Sequence, residues 1–317
     1  MKRQLEPITQ LQQIKALLAQ FKRPITPNLL AELTKGYYQK NSLLAFSKDW
    51  NHFVEFCQLK AVTPLPASVT AVRLYLEKEA RHRKFSTIRR YYLTISLIHY
   101  LLNQKDPTNS RHVRQLMQQL RIEKQGDEKQ ADCFTREHLE QLYEKLKDNK
   151  SYLAIRDLAL YHLMFECAMK RGELKKLTFS ALADDFSSLT LANANYQLST
   201  TSQRVLKRWV ECLSIRSGTV FRSIDRHGNI HQGELDDSSI YRILRRAGQL
   251  IDQPHLKFSG QSTRIGAVKE LAEQGYDTKD IQHFGRWLCP AMPNQYLGNL
   301  NSAQRDKLKF IKIKPWD

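Results

Sequence analysis

Ser259-Gly260-Gln261-Ser262-Thr263-Arg264-Ile265-Gly266-Ala267-Val268, then Gly285-Arg286-Trp287, then Gln295-Tyr296-Leu297-Gly298-Asn299-Leu300, is the stretch on which the reading of this chain turns. Its periodicity predicts helices over 262–274 and 278–284, with another over 301–311. Arg264, Trp287 and Tyr296 bring three chemistries into one short region. A guanidinium meets oxyanions with a planar fork. An indole N–H donates while its ring packs. A phenol is a nucleophile when its proton is removed.

Working outward, helical periodicity dominates and glycine and proline are scarce, at 12 and 10 residues. Residues 42–59 set Leu43, Phe46, Trp50, Phe53, Val54 and Cys57 on one face. Val69, Val72, Tyr75 and Leu76 repeat the pattern after Pro64 and Pro66. Helices follow over 86–102 and through Val113, Leu116 and Leu120, giving a four- or five-helix N-terminal unit over 1–121. Residues 122–132 lack apolar anchors and read as a linker. The unit over 133–317 opens with Thr135 as an N-cap, Glu137 in the first turn and Phe134 placed to staple against Leu139. Residues 152–168 are apolar nearly all round, which predicts a buried helix. Leu189-Thr190-Leu191 and Thr219-Val220-Phe221-Arg222 are the strand candidates, Arg226-His227-Gly228-Asn229 is a turn, and a helix is expected over 237–251.

The 317 residues carry 50 Lys and Arg against 32 Asp and Glu, a formal net charge of +18. A surplus spread along the chain favours a polyanion as partner, nucleic acid ahead of an anionic membrane. No apolar run approaches the roughly 20 residues that span a bilayer, and residues 1–7 do not read as a signal peptide. The cysteines at 57, 133, 167, 212 and 289 form no CxxC pair, which predicts free thiols in a reducing cytoplasm. His227 and His231 have helical spacing but flank a glycine turn, so no metal is expected there. No cofactor is expected.

With these elements laid out, the chain resembles the tyrosine recombinases of the phage integrase family, in their Cre-like branch. The C-terminal stretch carries most of the likeness. Phe165-Glu166-Cys167-Ala168-Met169-Lys170-Arg171-Gly172-Glu173-Leu174 resembles the family's first arginine box, Gly-Leu-Arg-x-x-Glu-Leu. The N-terminal helices, with Trp50 to Cys57 and Ser86-Thr87-Ile88-Arg89-Arg90, are similar to a core-binding domain. The resemblance implies a mainly α fold with a small β-sheet. It further implies two domains, a helical core-binding domain and a catalytic-type domain, forming a C-shaped clamp around duplex DNA. Tyr296, nine residues after Trp287, takes the nucleophile's place, Arg264 that of the second arginine, and Trp287 a position that holds His or Trp. Lys40, Ser86, Thr87, Arg89, Arg90 and Arg171 become DNA-binding candidates. The partner implied is a short inverted-repeat duplex on nucleoid, plasmid or phage DNA, with self-association through helix 301–311.

Three positions depart from the family pattern. Lys170 stands where the first arginine belongs, keeping charge without the bidentate fork. Gln261 replaces a His or Lys and cannot shuttle a proton near neutral pH. The hairpin between Leu189 and Trp209 has no lysine before Lys207, so the leaving oxygen lacks its acid. Losing one preorganised donor typically costs about 10²–10³ in rate, and losing general acid catalysis about 10²–10⁴. Three functions remain open on sequence alone: a sequence-specific DNA-binding protein that has lost cleavage, a working recombinase with an altered site, and a basic helical protein without sequence preference.

Overall fold

The computed structural model describes residues 5–127 and 130–310. It divides into two compact units, one ending at residue 129 and the other beginning at residue 130. The fold is mainly helical, with two separate two-stranded sheets among the described residues rather than one.

The N-terminal unit contains α1 (Leu11–Gln20), α2 (Pro27–Leu33), α3 (Lys40–Leu59), α4 (Val69–Ala80), α5 (Phe85–Leu101) and α6 (Arg111–Glu123). Six helices stand where four or five were expected, α1 and α2 being the two with no span given from the sequence. The signal for α1 was present: Ile14 and Leu17 are buried on one face, with Phe21 just beyond. For α2, Thr26 accepts from Leu29 N and Pro27 occupies the first turn, where its missing N–H costs nothing. Trp50 Nε1 donates to Phe21 O at 3.1 Å, tying the end of α1 to α3. The core gathers Trp50, Phe53, Tyr75, Ile88, Ile95 and Ile98. Ser68 and Ser110 cap α4 and α6 through their side chains. α6 continues to Glu123, into the stretch read as a linker, whose residues 128 and 129 lie outside the described residues.

The second unit opens with α7 (Arg136–Leu146), α8 (Tyr152–Glu166) and α9 (Arg171–Lys175). Thr135 caps α7 as expected, in a capping box completed by His138. The α8 segment is buried through Ile155–Phe165, which explains its apolar character on every side. A hairpin follows, β1 (Ser188–Leu191) antiparallel to β2 (Ala194–Gln197), with Leu189 opposite Tyr196. Its turn is two residues, Ala192 and Asn193, at φ 47° and 68°, the geometry that matches strand twist. Then come α10 (Thr200–Glu211), β3 (Arg222–Ile224) paired with β4 (Ile230–Glu234), and α11 (Asp237–Leu250). The strand expected over 219–222 lies further on. Thr219 only bridges Thr178, and Val220 O is taken by Trp209 Nε1 at 2.9 Å instead of a ladder.

The chain closes with α12 (Gly260–Glu273), α13 (Thr278–Phe284), α14 (Ala291–Tyr296) and α15 (Leu300–Phe310). Ser259 caps α12 two residues ahead of the expected start, which places Gln261 in the first turn. Gly266 allows α12 to lie against the chain entering α7: a Cβ there would fall 1.6 Å from Phe134 O. The short α14 was not anticipated. Helix 301–311, expected to carry self-association, corresponds to α15, but the side chains of 307–310 and residues 311–317 lie outside what is described.

Candidate phosphate site and DNA interface

Tyr296 ends α14 and is 5% exposed. The Trp287 ring meets it edge-to-face at 5.9 Å. Gln261 Nε2 donates to Tyr296 Oη at 3.2 Å. Burial raises the phenol above its ordinary value, opposed in part by the Gln261 bond and the Arg264 charge. The hydroxyl is therefore held by a side-chain amide. Gln261 delivers a hydrogen bond and no base.

Arg264 lies in the second turn of α12, turned inward and buried. Its Nη1 donates to Ala168 O at 2.5 Å and its Nη2 to Gly285 O at 2.8 Å. Its guanidinium carbon stands 4.0 Å from the Trp287 ring centroid. Burial, then the neighbouring Arg286 charge, lowers its pKa to about 10. Gly285 makes the stack fit, because a Cβ there would lie 1.6 Å from the Trp287 ring. Trp287 is half-buried.

Lys170 caps α9 and is exposed, with Nζ 3.4 Å from Glu173 Oε1. Its backbone N–H donates to Glu173 Oε2 at 2.7 Å. Arg171, next along, is exposed, and its Nη1 reaches Asp237 O at 3.5 Å. The residue that sequence reasoning missed is Arg286. It donates to Glu173 through Nε at 3.0 Å and Nη2 at 2.8 Å. It also bonds the carbonyls of Cys167, Ala168 and Phe284 and the Tyr196 hydroxyl. Its backbone lies at φ 56°, a region that non-glycine residues avoid. An arginine beside Gly285 in Gly285-Arg286-Trp287 was the only signal. Burial pushes Glu173 upward, but the bonds from Arg286 and Lys170 more than offset it and leave the carboxyl lowered.

Arg286 and Lys170 thus pair with one carboxylate, and Arg264 shares the Ala168 carbonyl with Arg286. Three positive charges against one negative leave a surplus of two positive charges in this cluster, of which the Arg264 charge acts on Tyr296. Such a cluster suits an anion. The hairpin turn carries Ala192 and Asn193. A cleft of about 250 Å³ is lined by Glu173, Lys176, Thr190 and Ala192, among others. Lys176 thus lines the same cleft as Ala192 of the turn, whereas Lys207 is exposed on α10.

In the N-terminal unit, Lys40 opens α3 and is exposed, as are Ser86 and Arg89 on α5, while Thr87 is half-buried. Arg90 differs. Its Nε and Nη2 donate to Asp49 at 2.7 and 2.8 Å. The Asp49 side chain is 2% exposed and that of Arg90 is 45% exposed. The Asp49 bond raises the arginine's pKa further. One buried carboxylate therefore fixes the direction of an exposed guanidinium. Among the described residues no cluster of three or more metal-ligating side chains occurs, and no helix is long and apolar enough to cross a membrane.

The signature of the Phage integrase family is matched over residues 132–302. An integrase/recombinase xerD homolog of Selenomonas ruminantium is 27% identical over 282 residues, covering 82% of each chain. The recombinase cre of Escherichia phage P1 is 22% identical over 299 residues, covering 85% of this chain and 86% of that protein. Among solved structures, the XerH site-specific recombinase bound to palindromic difH substrate superposes with a TM-score of 0.62. It shares 13% identity and covers 96% of this chain and 97% of that one. A lambda integrase dimer bound to a COC' core site gives 0.58 at 13% identity, covering 85% and 92%.

Proposed function

Since the chain belongs to the phage integrase family, we propose that it is a sequence-specific duplex-DNA-binding protein on the tyrosine recombinase scaffold, with strand cleavage lost or very slow and its role turned to regulating or organising a DNA locus. The observation that carries this reading is the state of the groups around Tyr296. Cleavage needs a base or field to activate the phenol, cations on both non-bridging oxygens, and a proton for the leaving 5′ oxygen. Here the phenol meets an amide at Gln261, the position of the first arginine holds an exposed lysine turned to Glu173, and the hairpin closes on Ala192-Asn193. DNA binding requires none of the three missing groups. The DNA-bound relatives and the formal charge of +18 support a duplex partner, a short inverted repeat in this reading.

One observation favours a second reading, retained cleavage: Lys176 lines the same cleft as the hairpin turn. The deciding experiment selects a duplex from a random library with the full chain. That duplex is then incubated with the protein as normal DNA and with a sulfur bridge at the 5′ position of each phosphate in turn. A thiolate leaves without an acid, so trace adduct is expected only on the sulfur-bridged series. Robust adduct on normal DNA, abolished by Tyr296→Phe, overturns the proposal. Its further loss in Lys176→Ala identifies the acid.

A further inference from the structure

We propose that Arg286 is a positioning residue of the phosphate site, fixing Arg264 next to Tyr296 and Lys170 at Glu173 without itself touching the phosphate. The inference rests on the DNA-binding reading above and deepens it.

The backbone supplies the first argument. At φ 56° an L-residue is disfavoured, a cost that glycine avoids. The side chain offsets that cost. Its five N–H groups face Glu173, Tyr196 Oη and the carbonyls of Cys167, Ala168 and Phe284. Only 9% of the side chain is exposed. With every donor engaged, Arg286 has none left for a phosphate oxygen.

What it holds is the second argument. Ala168 O receives Arg286 Nη2 at 3.0 Å and Arg264 Nη1 at 2.5 Å, so two guanidiniums share one acceptor. Ala168 is itself at φ 44°, where α8 has ended and the chain turns toward α9. Arg264 Nη2 bonds Gly285 O, the residue joined to Arg286. Both anchors of Arg264 are therefore set by Arg286. Glu173, gripped through both oxygens by Arg286, in turn receives Lys170 through its backbone N–H and stands 3.4 Å from its ammonium. One buried side chain thus organises Arg264, which keeps N–H groups beyond these two bonds, and the exposed ammonium of Lys170. A lysine at 286 keeps the charge but cannot grip both Glu173 oxygens and span three carbonyls.

The test uses the full chain and a duplex selected by the unmodified protein from a random library. Each phosphate is replaced singly by a neutral methylphosphonate. Neutralising one phosphate per half-site should weaken the unmodified protein about tenfold, the scale of one charge-assisted hydrogen bond. Arg286→Gly, which suits the left-handed backbone, should bind unmodified duplex about tenfold more weakly and be indifferent to that one substitution. It should keep full sensitivity at every other phosphate. Arg286→Lys should behave the same way, and it carries the test alone if Arg286→Gly does not fold. An unchanged methylphosphonate profile in either folded variant, with or without a uniform loss of affinity, overturns the positioning role. Recovery of the unmodified protein's profile in Arg286→Lys would make charge rather than geometry the agent and also overturn it. Failure to select any duplex is a different result, which removes the DNA-binding reading itself.

Discussion

At the scale of single residues, the second unit contains a histidine whose place in the core couples stability to pH. His162 is 3% exposed on α8. Its Nδ1 pairs with Ser202 Oγ at 2.9 Å, while its Nε2 is buried without a partner among the described residues. Burial lowers its pKa from the ordinary 6.5 to about 4, with Glu166 pulling upward and Arg136 downward. The unfolded chain therefore binds a proton near 6.5 and the folded chain only near 4. Between those values the unfolded state carries more protons, so stability is full above 6.5 and declines as pH falls through the window. Denaturant midpoints measured from pH 7 to 4.5 should drop in the unmodified protein and drop less in His162→Gln. His99, also lowered by burial, is common to both proteins, so the difference isolates His162. Identical pH slopes would show that His162 is not held neutral.

At the scale of elements, the N-terminal turns of α5 are the reading surface that the DNA-binding proposal requires, and there Asp49 on α3 holds Arg90 in one direction. A buried carboxylate with a bidentate arginine is weak evidence for stability but strong for geometry. The Arg90 fork points where Asp49 directs it, and arginine is the commonest reader of guanine. Arg90→Ala should cost about 1–3 kcal/mol on a selected duplex and less on random DNA. It should also lower stability, because Asp49 is then buried without its cation. Adding Asp49→Asn should restore stability and leave the DNA loss in place. Competition binding with thermal melts separates the two effects, and equal losses on both DNAs would make Arg90 a phosphate contact. The elements themselves were legible where periodicity is strong. α3, α4, α5, α8 and α11 lie within a few residues of their expected spans, because apolar spacing and capping residues are local signals. What local signals miss is tertiary pairing. The run 219–222 has strand composition, yet its Val220 carbonyl goes to an indole. Tyr296, Trp287 and Gln261, grouped by the resemblance, are neighbours in the fold. Arg286 was illegible because its partners lie at 167, 168, 173, 196 and 284, brought to it only by the fold.

At the scale of the whole molecule, the formal charge of +18 decides how the protein meets DNA. Lys40 and Arg89 in one unit, and Lys170 and Arg171 in the other, are exposed cations. Each that neutralises a phosphate releases condensed counterions, with a slope of about −0.9 in log K against log[salt] per contact. Several such contacts should weaken binding steeply between roughly 50 and 200 mM salt, for random and selected duplex alike. Base reading through α5 adds a term that salt does not screen in the same way, so the ratio of the two affinities should persist as both fall. Fluorescence anisotropy titrations on the two duplexes across that range give both quantities at once. A flat salt response would remove the DNA-binding reading. A steep response with equal affinities would leave a basic helical protein without sequence preference. Lys170→Ala should reduce the slope by about one contact on the selected duplex if the proposed phosphate site includes its exposed ammonium at Glu173, and an unchanged slope would place that phosphate elsewhere.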